Sequence, residues 1–105
     1  MTMLAVLVLA AVLEMGGDAV VRRGLVQGSW SAAALGGALL LAYGFVVNTD
    51  RVIDFGRLMG LYIAVLFVVS QVLALALFGE RPTPGLIVGG ILIVGGGLVI
   101  QFGRA

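Results

Sequence analysis

The chain has 105 residues, 62 % of them hydrophobic and 10 % charged, with six arginines, no lysine, three aspartates and two glutamates. Soluble domains carry roughly 25 % charged residues, so this chain has too few charges to coat a water-facing globule, which argues against an ordinary soluble enzyme. A net charge of +1 without a basic cluster speaks against nucleic acid as a partner, and the lack of Cys and His removes disulfides, thiol nucleophiles, His-based triads and the common zinc sites.

A membrane helix needs about 20 mostly apolar residues to cross a hydrocarbon layer about 30 Å thick, so four of them use about 80 residues and leave about 25 for turns and ends. The sequence divides that way. The first predicted span covers residues 3–21, closes at Arg22 and Arg23, and is followed by a short polar turn over 24–30. The second covers 31–47. The stretch 48–57 carries Asp50, Arg51, Asp54 and Arg57 and is expected as a solvated charged loop at the interface. The third span covers 58–78, and a tight turn follows at 79–84, where Pro82 and Pro84 permit no continuous helix. The fourth covers 85–102. The expected fold is all-α, a single integral membrane domain of four transmembrane helices over residues 1–105. A barrel would need strands of about ten residues alternating in polarity, and the sequence has none. A cleaved signal peptide is not expected either: there is no positive leader, and carboxylates stand where a cleavage site would lie.

Positive residues in short loops favour the cytoplasmic side. With four spans, Arg51, Arg57 and Arg104 share one side, and Arg22, Arg23 and Arg81 share the other. This balance gives no strong preference, so dual topology is expected.

Within the first span, Glu14 and Asp18 are one helical turn apart and share a face. Ala10, Glu14, Gly17 and Asp18 form one stripe with Ala11 beside it. Apart from the acids the stripe is small, leaving room for water or a ligand. Leu9, Val12, Leu13 and Val20 on the other side suit lipid or packing. A central carboxylate costs about 2.5–3.5 kcal/mol on insertion scales and two cost about double, while about ten Leu, Val or similar residues return about 3–6 kcal/mol. The span is therefore marginal alone and needs a polar cavity, partner helices or protonation. Asp18 can pair with Arg22 one turn on; Glu14 has no cation in its own helix. Burial and a like-charged neighbour disfavour its ionised form. A carboxyl poised that way can release a proton to an arriving cation and recover it later, and membrane-embedded acids are functional more often than structural.

Elsewhere, Tyr43 in the second span and Tyr62 in the third are candidate ligand contacts, since a tyrosine facing a cavity can stack on a cation and hydrogen-bond a carboxylate. Ser70 and Gln71 are expected to bond between helices, and Trp30 to anchor at the interface. In the fourth span, Gly85 and Gly89 have small-xxx-small spacing, and Gly89, Gly96 and Gly103 recur every seven residues. Such glycines let backbones approach in lipid, so Gly85, Gly89 and Gly96 are the expected dimer interface, the alternative being packing within one chain.

These residues resemble the small multidrug resistance family of the drug/metabolite transporter superfamily. Glu14 occupies the place of that family's membrane glutamate, with Gly17 after it. Trp30 falls where the family has a tryptophan near the start of helix two. Phe78-Gly79-Glu80-Arg81, and then Gly89 and Gly96, resemble its helix-three turn and its helix-four dimerisation motif. The sequence departs from the family at Met59 and Tyr62, where a Tyr and a Trp one turn apart are usual. The extra acid Asp18 and the charged second loop are further departures. A related small family of four-helix membrane proteins stays open. The resemblance implies an antiparallel homodimer, or a heterodimer with a paralogue, in a bacterial inner membrane. Both Glu14 carboxylates would contribute to one shared site, for which protons and a small organic cation compete.

Three functions compete on these residues. The first is a proton-coupled exporter of small organic cations, using Glu14 with Asp18, Tyr62 and Tyr43, and a pocket lined by Ala10 and Gly17. The second is a non-transporting membrane scaffold assembled through the glycine-rich fourth helix. The third is a proton-carrying ring subunit, for which the order of acidic and glycine-rich helices is reversed. No nucleophile–base pair, metal cluster or phosphate loop is visible, so neither enzymatic activity nor a cofactor is expected.

Overall fold

The computed structural model describes residues 2–103. Among them all regular structure is helical, in the order α1 (Met3–Gln27), α2 (Trp30–Val47), α3 (Phe55–Phe78) and α4 (Pro84–Phe102). Each helix is long and apolar enough to cross a membrane. Arg104, one of the six arginines weighed for orientation, lies outside the described residues.

Local chemistry sets the helix ends. The hydroxyls of Thr2, Ser29 and Thr83 accept from the backbone N–H groups of Ala5, Ala32 and Leu86 at 3.2, 3.3 and 3.2 Å. Each satisfies an amide that the first turn leaves without a partner. Pro84 opens α4, where its missing N–H costs nothing. The helices α1 and α3 stop at Gly28 and Gly79, whose φ angles of 71° and 64° are left-handed and suit glycine. Because Gly28 is the stop, α1 runs through Arg22 and Arg23 to Gln27. The polar turn expected over 24–30 shrinks to Gly28 and Ser29. Arginine is a good helix former, so the two charges mark where the apolar run ends without ending the helix.

The chain forms two compact units, each an antiparallel helical hairpin: α1 with α2, and α3 with α4. In the first, backbones touch through glycine. A Cβ on Gly36 would stand 2.7 Å from the Gly17 carbonyl oxygen and 2.7 Å from the Val21 nitrogen, and one on Gly24 would stand 2.6 Å from the Ala33 nitrogen. In the second, glycines receive side chains. Gly90 lies under the Phe67 ring, Gly97 under the Ala64 methyl and Gly60 under Ile100. At the open end of that hairpin, Arg57 Nη2 donates to Gln101 Oε1 at 3.3 Å. The charged loop is thus shorter than expected: α3 begins at Phe55, so Arg57 is helical and half-buried, while Asp50, Arg51 and Asp54 stay exposed. Ser70 and Gln71 also differ from expectation. The Ser70 hydroxyl donates to the Phe67 carbonyl of its own helix at 2.7 Å, and the Gln71 amide donates to Ser70 at 3.4 Å.

Large apolar side chains stand exposed on every helix, Phe45 at 75 % and Ile91 at 67 % among them. In water such patches would drive association. On four helices of membrane length they are surface for hydrocarbon. The protein is a multi-pass integral membrane protein.

Candidate membrane carboxyl site

The first hairpin has one register along its length. Stepping back along α1 from Gly24 to Val21, Gly17 and Glu14 matches stepping forward along α2 from Ala33 to Gly36, Leu40 and Tyr43, by equal intervals. The first three pairs meet in van der Waals contact or closer, through Ala33, Gly36 and Leu40. The fourth is polar: the Tyr43 hydroxyl hydrogen-bonds the Glu14 carboxyl. The glycines therefore do more than tighten the hairpin. They place a phenol from α2 opposite Glu14, the acid nearer the middle of α1.

The energies show why this pairing matters. An acid at the centre of a span costs about 2.5–3.5 kcal/mol, and a hydrogen bond to a charged group returns about 1.5–3 kcal/mol. Tyr43 thus offsets much of the cost of Glu14 without neutralising it. Both side chains are half-buried, so the carboxyl stays reachable. The phenol can donate to the carboxylate, and its oxygen can accept from the protonated acid. The pair can hold either protonation state.

The other expected residues fall as follows. Ala10 and Ala11 are fully buried. Gly17 is buried as well, and a Cβ there would stand 2.9 Å from Leu40 Cγ and 3.0 Å from the Gly36 oxygen. The room expected beside the small stripe at Gly17 is taken by α2, so Gly17 sets the helix approach and does not line open space. Asp18 is exposed on α1, one turn past Glu14. Tyr62 belongs to the second hairpin, where its side chain is buried. Trp30 is 80 % exposed as the first residue of α2, beside the Gly28–Ser29 turn. On α4, nothing lies within 4 Å of a Cβ built on Gly85, Gly89 or Gly96, whereas Gly90 and Gly97, one residue along, make the contacts with α3. Sequence reasoning had no role for Gly24, Gly36, Gly60, Gly90 or Gly97. For the first hairpin a signal was present: small residues on both sides of the turn, Gly17 and Gly24 in α1 and Ala33 and Gly36 in α2.

Comparison with known proteins agrees with membrane residence. The chain is similar to a UPF0060 membrane protein of Staphylococcus aureus strain bovine RF122, with 29 % identity over 96 residues, covering 90 % of this chain and 89 % of that relative. UPF0060 membrane proteins of Staphylococcus aureus strains JH9 and Newman match equally well, at 29 % identity over 96 residues. These relatives carry the UPF0060 name and not that of the small multidrug resistance family, so the resemblance drawn from Glu14, Trp30 and the fourth-helix glycines is not confirmed at family level. No family model matches the chain. No solved structure matches it.

Proposed function

We propose that the protein is a proton-coupled exporter of small organic cations, with Glu14 as the group that protons and substrate share. The observation that carries this reading is a half-buried carboxyl in a membrane-length helix, held by the Tyr43 hydroxyl across the hairpin. In the cycle a protonated Glu14 gives up its proton as the cation arrives, the carboxylate holds the cation by charge, and reprotonation releases it on the other side. Charge balances at each step, because one proton replaces one positive charge. Tyr43 orients the carboxyl throughout. Asp18, at the exposed end of the α1 stripe, is a further candidate contact. Alternating access would be the exchange of two equivalent shapes of a dimer, formed by two copies or by this chain and a paralogue. The open glycines Gly85, Gly89 and Gly96 would supply that interface.

The deciding experiment is transport of a panel of organic cations by purified protein in proteoliposomes under an imposed pH gradient. Glu14→Gln keeps the shape and the hydrogen-bonding capacity but cannot ionise, and it is expected to abolish proton-coupled movement. Unchanged coupled transport in that variant would exclude Glu14 as the carrier. The open α4 glycines also favour a second reading, a scaffold that assembles without transporting. A scaffold moves no cation in the wild type, and Glu14→Gln leaves its assembly intact.

A further inference from the structure

The second hairpin contains a groove that neither the carboxyl site nor the glycine face of α4 uses. It is a cavity of about 480 Å³ along α3 and α4, with Phe67 as one wall, Pro82 near the turn and Leu98 at the far limit. That volume lies within the range of about 300–1,000 Å³ usual for ligand pockets. Its lining is apolar except for Gln71, whose amide nitrogen is already turned to Ser70. Leu86 and Leu98 are separated by roughly 18 Å along the helix axis at about 1.5 Å per residue. One leaflet of hydrocarbon is about 15 Å deep, so the groove is long enough for a single acyl chain.

Two further observations select the occupant. Ile87, Ile91, Val94 and Leu98 repeat at intervals of four, three and four, so they form one side of α4. Ile91 is two residues from Gly89, a rotation of roughly 200° at 3.6 residues per turn, so the open glycines lie on the opposite side. A second copy seated on the glycines would not cover the groove. The groove also reaches Pro82, which follows Glu80 and Arg81, both exposed at the turn. A cation and an anion side by side complement a headgroup that itself carries both signs.

We propose that this groove binds one phospholipid bearing a phosphoethanolamine headgroup, with an acyl chain along α4, its phosphate on Arg81 and its ammonium on Glu80. The guanidinium supplies charge-assisted donors to phosphate oxygens, and the carboxylate accepts from the ammonium. A purely anionic headgroup meets the same arginine but is repelled by Glu80.

The test is native mass spectrometry of the full-length protein released from micelles doped equally with dioleoyl phosphatidylethanolamine and dioleoyl phosphatidylglycerol. The wild type is expected to retain phosphatidylethanolamine in about two- to fivefold excess, the factor one exposed ion pair supplies. Glu80→Gln with Arg81→Gln removes that preference without touching any span. Gly95→Leu fills the groove from within: Gly95 lines it and has nothing within 4 Å of a built Cβ, so the new side chain meets open space. It is expected to lower lipid retention at least tenfold, whereas Gly37→Leu on α2, also open, leaves retention unchanged. Equal retention of the two lipids by the wild type overturns the proposal, whatever the folding of the groove variant. So does wild-type lipid retention in a helical Gly95→Leu protein. Conversion of an oligomer to a monomer by Gly95→Leu does the same, since it assigns the groove to a second copy. The readout is lipid retention, so it stands or falls independently of proton coupling at Glu14.

Discussion

Gly36→Ala adds one methyl group where the first hairpin has no room for it. The new carbon would lie 2.7 Å from the Gly17 carbonyl oxygen, 2.7 Å from the Val21 nitrogen and 2.6 Å from Val21 Cγ2. A valine methyl can rotate aside, but two backbone atoms in a helix cannot, so α1 and α2 must separate. Overpacking of this kind costs about 1–3 kcal/mol, against which alanine regains about 1 kcal/mol of helix propensity over glycine. Gly37→Ala is the matched control. It sits one residue on, with nothing within 4 Å, and has the propensity gain without the clash. The propensity term cancels between the two variants, leaving Gly36→Ala less stable than Gly37→Ala by about 1–3 kcal/mol. Reversible titration with dodecyl sulfate in mixed micelles, followed by circular dichroism, reads that difference as a shift in midpoint. Because Gly36 lies between the turn and the Glu14–Tyr43 pair, the same methyl also pulls the phenol from the carboxyl, and coupled transport falls with stability. If Gly36→Ala matches or exceeds Gly37→Ala in stability, the backbones do not meet where described, and the argument that glycines set the register of the site fails with it.

Tyr43→Phe removes only the hydroxyl that holds Glu14. A hydrogen bond to a charged group is worth about 1.5–3 kcal/mol, so proton-coupled cation flux in proteoliposomes should drop about tenfold or more while circular dichroism stays unchanged; undiminished flux would remove Tyr43 from the site. Gly89→Leu and Gly96→Leu place side chains into space that is open within the chain, so each hairpin should fold normally while the oligomer dissociates on chemical cross-linking and light scattering. An oligomer that survives both changes is not held by that face. If the arginines divide three against three, as the loop count of the sequence suggests, neither orientation is preferred and a C-terminal reporter should be detected on both sides; detection on the cytoplasmic side alone would rule out dual topology.

The four spans are legible because long, predominantly apolar runs have no other stable solution in this composition, and the stop between α3 and α4 because Gly79, Pro82 and Pro84 punctuate the chain there. The end of α1 was misplaced: Arg22 and Arg23 signal polarity, but the backbone stops only where Gly28 takes a left-handed angle. Arg57 reads as loop because it closes a charged stretch with Asp50, Arg51 and Asp54, and its partner Gln101, 44 residues away, leaves no local trace. The fourth helix shows a deeper limit. Gly89 and Gly96 have the same spacing as Gly90 and Gly97, and a glycine carries no side chain to mark which way its face looks. Only Phe67 and Ala64 on the neighbouring helix show that the second pair packs within the chain. At the candidate site Glu14 stood out at once, since an acid in an apolar span is conspicuous. Tyr43 stood out less, because its importance depends on register, which two separate helical patterns do not reveal until they are aligned.

The first hairpin reverses direction over Gly28 and Ser29 alone, and its helices touch backbone to backbone at Gly17, Gly24 and Gly36. Such a joint has no slack: neither helix can slide or roll against the other without atoms colliding. For an exporter of the kind proposed, the acid and its phenol are then passengers on a stiff plank, carried past each side of the bilayer at constant separation. The gates must bend elsewhere.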